Sequence, residues 1–302
     1  MLEHRNKAPV PPSRVVVLGA RGIIGRALTR VLAREAVPLL ALSSADIDLL
    51  DAGAAERLAG LLRADDAVVM LAALTPDKGR DIATLMRNLR MGEAVCAALA
   101  QAACDQVIYV STDAVYRTGP ELITERTPAD PPELYGAMHR TRETMFAATV
   151  AAGHLAIPRV TMVLAAGDTH GSYGANRFRR QAREAGKITL GGEGEETRDQ
   201  IYLGDLVELI RLMLVHRSHG VLNAVSGVSP SFLEVARLVA AQFEPRPEIV
   251  FTPRTAPISH RHYDITALRR AFPRFRLTPH GEAIARVHRE ETASTTMPGK
   301  HP

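Results

Sequence analysis

The sequence predicts an α/β fold, in which a doubly wound parallel sheet carries a smaller, interleaved C-terminal lobe. Short runs of Val, Ile and Leu alternate with longer amphipathic stretches through the first half of the chain, the pattern of strand–helix–strand units. The first of these runs leads through a glycine-rich turn directly into a helical pattern. The 302 residues are 46% hydrophobic, which suffices for a large buried core.

The first lobe is predicted from five apolar strands and the helices that connect them. The strands are expected at 14–18, 38–42, 67–71, 106–111 and 154–163, and the helices at 23–35, 54–63, 82–103 and 135–152. Because the carboxyl ends of parallel strands meet at one edge of a sheet, any ligand is expected above 19–25, 72–75 and 111–116.

The pattern changes after residue 165, where a glycine-rich loop over 167–178 and a basic helix over 177–185 follow. We therefore predict a Rossmann domain over 14–165, to which 200–218 returns. The substrate-binding lobe is expected to comprise 166–199 and 219–289. The polar segments 1–13 and 290–302 are expected to be flexible tails.

Bulk properties argue against several classes of protein. No run approaches the roughly 18 apolar residues of a membrane helix, and the N-terminus lacks the apolar core of a signal peptide, so a cytoplasmic protein without a membrane partner is expected. The net charge of +4, with dispersed arginines and 4% aromatic residues, argues against nucleic-acid binding. His260 and His262 lack a cysteine or carboxylate at metal-ligand spacing, so no metal site is expected.

A glycine motif follows the first predicted strand and opens the first helix. In such a motif, one glycine permits a tight turn, one lets the backbone approach a pyrophosphate at the helix N-terminus, and one allows close helix–strand packing. An ordinary strand–turn–helix connection is the alternative interpretation. The residues expected to contact a dinucleotide here are Gly19, Arg21, Gly22, Ile23, Ile24 and Gly25.

The end of the second strand bears on the choice of dinucleotide. NAD enzymes usually place an acidic residue there to bind the ribose 2′-hydroxyl, whereas this chain has Ser43 and Ser44. Arg21 could bind a 2′-phosphate instead, or could be a solvated loop residue. The sequence thus favours NADP, with NAD as the alternative.

Two further motifs carry a family resemblance. The strand at 106–111 leads into Ser111-Thr112-Asp113-Ala114-Val115-Tyr116, and a later helix begins Tyr135-Gly136-Ala137-Met138-His139. From 14 to 286 the chain resembles the extended short-chain dehydrogenase/reductases, the NAD-dependent epimerase/dehydratase family, which act largely on nucleotide sugars. Other segments that fit are Leu71-Ala72-Ala73, Asn88, Arg159, Arg198-Asp199 and Leu222-Asn223-Ala224-Val225.

The resemblance implies roles for particular residues. It makes Tyr135 the general acid/base and Thr112 its partner on the substrate oxygen, with Asp113 and Arg198 on the substrate side. Arg198 is alternatively a surface ion pair with Glu195 or Asp199. The cofactor side is expected to include Ser43, Asp48, Leu49, Leu71, Ala72, Ala73 and Asn88 as well as Tyr135 and His139, with Asp48 and Leu49 near the adenine. The resemblance implies a nucleotide-sugar-like substrate. It is compatible with a homodimer.

Position 139 departs from the family, which has a lysine four residues after the tyrosine. That lysine holds the nicotinamide ribose and lowers the phenol pKa from about 10. Here His139 stands instead, and an imidazole is charged only below about 6.5. The rate is therefore expected to depend on the protonation of His139, unless Arg140 or the cofactor supplies the charge. A cofactor-binding sensor or scaffold without turnover is the alternative function.

A second departure narrows the reaction. Dehydratases of the family carry a glutamate after Thr-Asp, where this chain has Ala114. Reduction or epimerisation is therefore expected rather than loss of water. Met162 replaces an asparagine that is frequent in the family, so the resemblance does not identify a particular nucleotide sugar.

Overall fold

The computed structural model describes residues 1–117, 119, 122–168, 174–255 and 257–296. Its helices are α1 (Ile23–Arg34), α2 (Ala54–Ala59), α3 (Ile82–Gln101), α4 (Leu134–Thr149), α5 (Ala175–Ala185), α6 (Leu203–Val215), α7 (Phe232–Ala240), α8 (Thr266–Ala271) and α9 (His280–Thr296). Its strands are β1 (Glu3–His4), β2 (Arg14–Leu18), β3 (Leu39–Leu42), β4 (Asp66–Met70), β5 (Gln106–Tyr109), β6 (Ser111–Thr112), β7 (Leu122–Ile123), β8 (Leu155–Val160), β9 (Met162–Leu164), β10 (Lys187–Gly191), β11 (Gln200–Tyr202), β12 (Ser218–Ala224), β13 (Glu248–Thr252) and β14 (His262–Tyr263).

The main sheet has the strand order β1-β12-β8-β5-β4-β2-β3, with β6 also pairing with β8. Every pairing is parallel except that of β1 with β12. The predicted doubly wound parallel sheet is thus confirmed. The chain places β3 on one side of β2 and β4 on the other, so the order reverses there. Ligands bind at such switch points, beside the carboxyl ends of the strands.

Helices cover both faces of this sheet because strand side chains alternate in direction. Val15 and Val17 pack with α1 and α6 on one face. Val16 and Val68 pack with α2, α3 and α4 on the other. Helix α4, which carries Tyr135, therefore lies on the same face as α3.

A third hydrophobic cluster forms the smaller lobe, built from α5, α7 and α9 around the parallel pair β10 and β13. The sequence predicted that the smaller lobe resumes at residue 219, but the strand and helix described next pack with the main lobe. Leu222 and Ala224 are fully buried in β12, which pairs in parallel with β8. Leu268 in α8 packs with α1 and α6. Strand β12 and helix α8 thus belong to the main lobe, where their apolar side chains are buried.

The terminal segments are more ordered than predicted. His4 lies in β1, and its Nδ1 contacts Ser218 Oγ at 2.8 Å, so part of 1–13 pairs with the sheet edge. Helix α9 continues to Thr296, past the predicted limit of 290, and Glu291 accepts a hydrogen bond from Arg179 Nε at 2.7 Å. Residues 297–302 of the predicted tail, and 169–173 of the glycine-rich loop, lie outside the described residues.

The long strand predicted at 154–163 is two strands. Thr161 Oγ1 donates to the Asp199 carbonyl at 2.8 Å, and β9 beyond it pairs with β11 instead of the main sheet. The chain thus leaves the sheet beside the predicted ligand edge. No helix among the described residues has both the length and the apolar character needed to cross a membrane.

Candidate active site

The glycine turn forms a cradle at the switch point. Gly19 has a φ of +92°, and a Cβ there would lie 2.8 Å from Ala72 N. A Cβ on Gly25 would lie 2.4 Å from the Gly19 carbonyl oxygen, so both glycines are needed for close backbone approach. Helix α1 begins after Gly22 with no side-chain cap, which leaves first-turn N–H groups for an anion. These features fit a dinucleotide pyrophosphate.

A cavity of about 460 Å³ extends from this cradle toward the smaller lobe. It follows the carboxyl ends of β2, β4 and β6, where a ligand was expected. Both Thr112 and Tyr135 line it, as does His139. Further lining residues are Gly19, Gly22, Ile23, Ile24, Gly25, Leu71, Ala73, Asp113, Met162, Asn176 and Gln200. The cavity thus joins the glycine loop to the predicted acid/base pair.

The end of β3 holds a carboxylate that the sequence analysis missed. Asp46 Oδ2 accepts hydrogen bonds from the buried Ser43, at 2.6 Å from its hydroxyl and 2.8 Å from its backbone N–H. Those bonds lower the pKa of Asp46, and Arg21 contributes electrostatically in the same direction. Arg21 is exposed on the glycine loop. A guanidinium and a carboxylate therefore lie near each other at this end of the cradle.

Three residues expected on the cofactor side make internal contacts instead of lining the cavity. Asp48 Oδ1 accepts from Leu50 N at 3.0 Å, and Leu49 is buried in the α2–α3 face of the core. Asn88 is buried in α3 and bonds both backbone groups of Leu74, at 2.8 and 2.9 Å. Asn88 therefore fixes the loop that follows β4.

Thr112 and Tyr135 are brought together by close packing of two segments. Thr112 Oγ1 accepts from Ala114 N at 3.2 Å and so caps a short 3₁₀ turn. A Cβ on Gly136 would lie 2.1 Å from the Ala114 carbonyl oxygen, so this glycine lets α4 approach that turn. Burial and the charge of Asp113 raise the pKa of Tyr135. Its phenol is therefore protonated at neutral pH.

His139 lies deep in α4 and is 3% exposed. Its Nδ1 contacts the Tyr109 hydroxyl at 2.7 Å, and its ring meets that of Tyr135 edge-on at 4.7 Å between centroids. Burial, together with the charge of Arg142, lowers the pKa of His139 to about 3. So buried an imidazole stays neutral near neutral pH, which argues against a rate that depends on its protonation there.

The predicted substrate side is formed by residues far apart in the sequence. Asp113 Oδ2 accepts from Arg261 Nη1 at 3.0 Å and from the Tyr263 hydroxyl at 2.7 Å. Arg198 does not line the cavity, and its ion-pair partner is Glu196, at 2.6 Å, instead of Glu195 or Asp199. Arg261 is thus the arginine that contacts the cavity wall.

A buried ion-pair network ties these segments together. Glu143 accepts from Arg159 at 2.9 and 2.7 Å and from Ser111 Oγ at 2.7 Å. Arg159 Nη1 donates to the Tyr116 hydroxyl at 2.8 Å, which in turn donates to Asn223 Oδ1 at 2.8 Å. The network therefore links α4 to β6, β8 and β12.

Comparisons with known proteins agree with this architecture. A sequence profile of the NAD-dependent epimerase/dehydratase family matches residues 15–225. A dTDP-4-dehydrorhamnose reductase of Mycolicibacterium smegmatis is 30% identical over 251 residues, covering 80% of this chain and 70% of the reductase.

Solved structures share the fold at lower identity. A GDP-L-fucose synthetase from Naegleria fowleri superposes with a TM-score of 0.83 at 17% identity, over 96% of this chain and 97% of the other. The UDP-glucose 4-epimerase of Thermus thermophilus, solved with NAD, gives 0.81 at 21% identity, over 93% and 99%. The profile match spans most of the chain and the glycine cradle lies within it, so this chain belongs to the NAD-dependent epimerase/dehydratase family.

Proposed function

We propose that this protein is an NADPH-dependent reductase of a keto group on a nucleotide-sugar-like substrate. One observation carries the proposal: a single cavity joins the glycine cradle to Thr112 and Tyr135. Cofactor cradle and proton donor thus share one space, as hydride transfer to a carbonyl requires.

In this reduction, Tyr135 would donate the proton and Thr112 would orient the carbonyl. The glycine cradle would hold the dinucleotide, whose nicotinamide would supply the hydride for the carbonyl carbon. Tyr135 gives its phenolic proton to the carbonyl oxygen, so that the carbonyl becomes an alcohol. Thr112 donates a hydrogen bond to the same oxygen and orients it. The tyrosinate then regains a proton from solvent through the open cavity, which restores the protonated Tyr135 for the next turnover.

Reduction is favoured over loss of water by the state of Asp113. Its carboxylate is engaged by Arg261 and Tyr263, and the neighbouring position holds Ala114 where dehydratases have a glutamate. The position that supplies the second acidic group in dehydratases therefore has no carboxylate here. The similarity to a dTDP-4-dehydrorhamnose reductase supports the same choice.

The preference for NADPH rests on Arg21. It is exposed on the cradle, and a guanidinium binds a phosphate well. Asp46 favours NAD instead, since a carboxylate binds the free ribose 2′-hydroxyl of that cofactor. Because Asp46 is held by Ser43, we assign the 2′-phosphate contact to Arg21.

The test combines binding with turnover. NADPH affinity is measured by fluorescence, and NADPH oxidation is followed with dTDP-4-dehydrorhamnose as the probe substrate. Tyr135→Phe should lower kcat by roughly 10²–10⁴ and leave NADPH affinity within about twofold. Tyr202→Phe is the matched control, because that phenol bonds Glu290 and does not line the cavity.

Two outcomes would contradict the proposal. Failure of the wild type to bind NADPH or NADH would exclude a nicotinamide enzyme. Cofactor binding without turnover of any 4-keto nucleotide sugar would instead favour the non-catalytic sensor.

A further inference from the structure

A buried guanidinium lies behind the acid/base tyrosine. Arg142 is 0% exposed, and its Nη1 donates to the Ala72 carbonyl at 3.0 Å. Its Nε and Nη2 make no well-formed hydrogen bond within the described residues, although the Tyr109 hydroxyl interacts with the guanidinium. Gly92 in α3 gives it room, since a Cβ there would lie 3.0 Å from Arg142 Nε. Burying a charge so incompletely bonded is costly, which makes a purely structural role a poor explanation.

No carboxylate among the described residues pairs with this guanidinium. The adjacent Glu143 is engaged by Arg159 and Ser111. The acidic groups that act on Arg142 are phenols and a thiol, from three different elements: Tyr109 on β5, Tyr135 on α4 and Cys96 on α3. A cation surrounded by phenols favours their ionised form.

The helix geometry aims Arg142 at the site. Positions 135, 139 and 142 share one face of α4, and long helical side chains extend back toward the helix N-terminus. The guanidinium carbon lies 5.9 Å from the centre of the Tyr109 ring. The Tyr109 hydroxyl contacts His139, which packs against Tyr135. The four side chains thus form one contiguous group ending at the cavity.

We propose that Arg142 supplies the fixed positive charge that Tyr135 requires, in place of the lysine that the family carries at position 139. The inference rests on the proposed acid/base role of Tyr135. Arg142 acts as a positioning residue, through the field at the phenol and through the Ala72 carbonyl beside the cradle. His139 fills the intervening space as a neutral ring. Arg140 cannot replace Arg142, because its side chain is 47% exposed and faces Glu143.

Ionisation of Tyr135 can be measured without substrate or cofactor. A difluorotyrosine placed at 135 lowers the intrinsic pKa into an accessible range, and its ¹⁹F resonance reports that one site. Arg142→Met should raise the pKa at 135 by at least about one unit, a tenfold loss of phenolate at a given pH. Arg142→Lys should restore most of the loss, and Arg140→Met should change nothing. The other charged groups acting on the phenol, Asp113 and Asp77, are untouched.

The variants separate charge from structure. Methionine and lysine both fill the arginine site with a linear chain, but only lysine keeps the charge. If Arg142→Met melts like the wild type and leaves the pKa at 135 within about 0.3 unit, the inference is overturned. Equal shifts in the methionine and lysine variants would also overturn it, because they would reveal a packing effect.

The pH profile gives a second readout when the enzyme turns over. In alcohol oxidation Tyr135 must lose its proton, so Arg142→Met should shift the acid limb of kcat/KM to higher pH. In carbonyl reduction Tyr135 must keep its proton, so the alkaline limb should move upward as well. Absence of turnover in the wild type would contradict only the proposed function, since the fluorine titration still tests the charge of Arg142.

Discussion

Replacing Glu143 with glutamine should destabilise the protein severely. The Glu143 and Arg159 side chains are 2% and 7% exposed, and Arg159 Nη2 lies 2.7 Å from Glu143 Oε2. Glutamine keeps the volume and an oxygen that can accept a hydrogen bond, but it removes the charge, so the guanidinium of Arg159 stays buried without its counter-ion.

The magnitude follows from the burial of both partners. Removing one member of a buried ion pair costs about 3–5 kcal/mol, against less than about 1 kcal/mol for an exposed pair. A loss of 1 kcal/mol lowers Tm by about 2–4 °C in a chain of about 150–250 residues, so Glu143→Gln should lower Tm by roughly 6–20 °C, nearer the lower end in this longer chain. Arg140→Met, which removes the exposed partner at 3.4 Å, should lower it by less than about 3 °C.

Thermal melting followed by circular dichroism measures the effect. The double variant Glu143→Leu/Arg159→Met removes both charges and should recover at least about half of the single-variant loss, because no unpaired charge remains. If Glu143→Gln lowers Tm no more than Arg140→Met does, or if the double variant recovers none of the lost Tm, the buried ion pair does not stabilise the fold.

Four other predictions concern the cofactor, the buried groups and pH. Gly92→Ala should lower Tm in the wild type but not in an Arg142→Met background, because the added Cβ meets Arg142 Nε. His139→Lys should lower Tm by placing a second cation beside Arg142, and Arg142→Met should recover that loss in the double variant. Arg21→Ala should weaken NADPH binding about tenfold more than NADH binding in fluorescence titrations. Burial raises the pKa of Asp199 to about 7, so the contribution of this side chain to stability should fall as pH rises from about 4 to about 7. The Tm of the wild type relative to that of Asp199→Asn should therefore be higher at about pH 5 than at about pH 8. A Tm difference that stays constant with pH would contradict this prediction.

The sheet and its helical layers were predictable because they depend on local periodicity. The alternation of Val15, Val16 and Val17 between the two faces is set by neighbouring residues alone. The lobe boundary was not predictable, because an apolar strand carries no mark of the sheet it will join. β12 belongs to the main sheet through its register with β8, for example Leu222 opposite Pro158, which no local pattern reveals.

The candidate site was predictable where a motif marks it and not where packing makes it. The glycine loop, Thr112 and Tyr135 all line one cavity, whereas Asp113 is held by Arg261, 148 residues away along the chain. Arg140 and Arg142 are alike in sequence terms. Only the orientation of α4 makes one side chain 47% exposed and the other fully buried.

The departures of this chain from its family at α4 are best understood together. A lysine at 139 beside a buried Arg142 would place two cations in one apolar space, so the neutral imidazole of His139 and the guanidinium depend on each other. Relative to a lysine at 139, the charge of Arg142 lies about one helical turn further from Tyr135 along α4, where Gly92 leaves room for it. The charge of the buried Arg142 is screened by salt much less than an exposed charge would be. Its field at Tyr135 should therefore persist across the pH range in which His139 stays neutral.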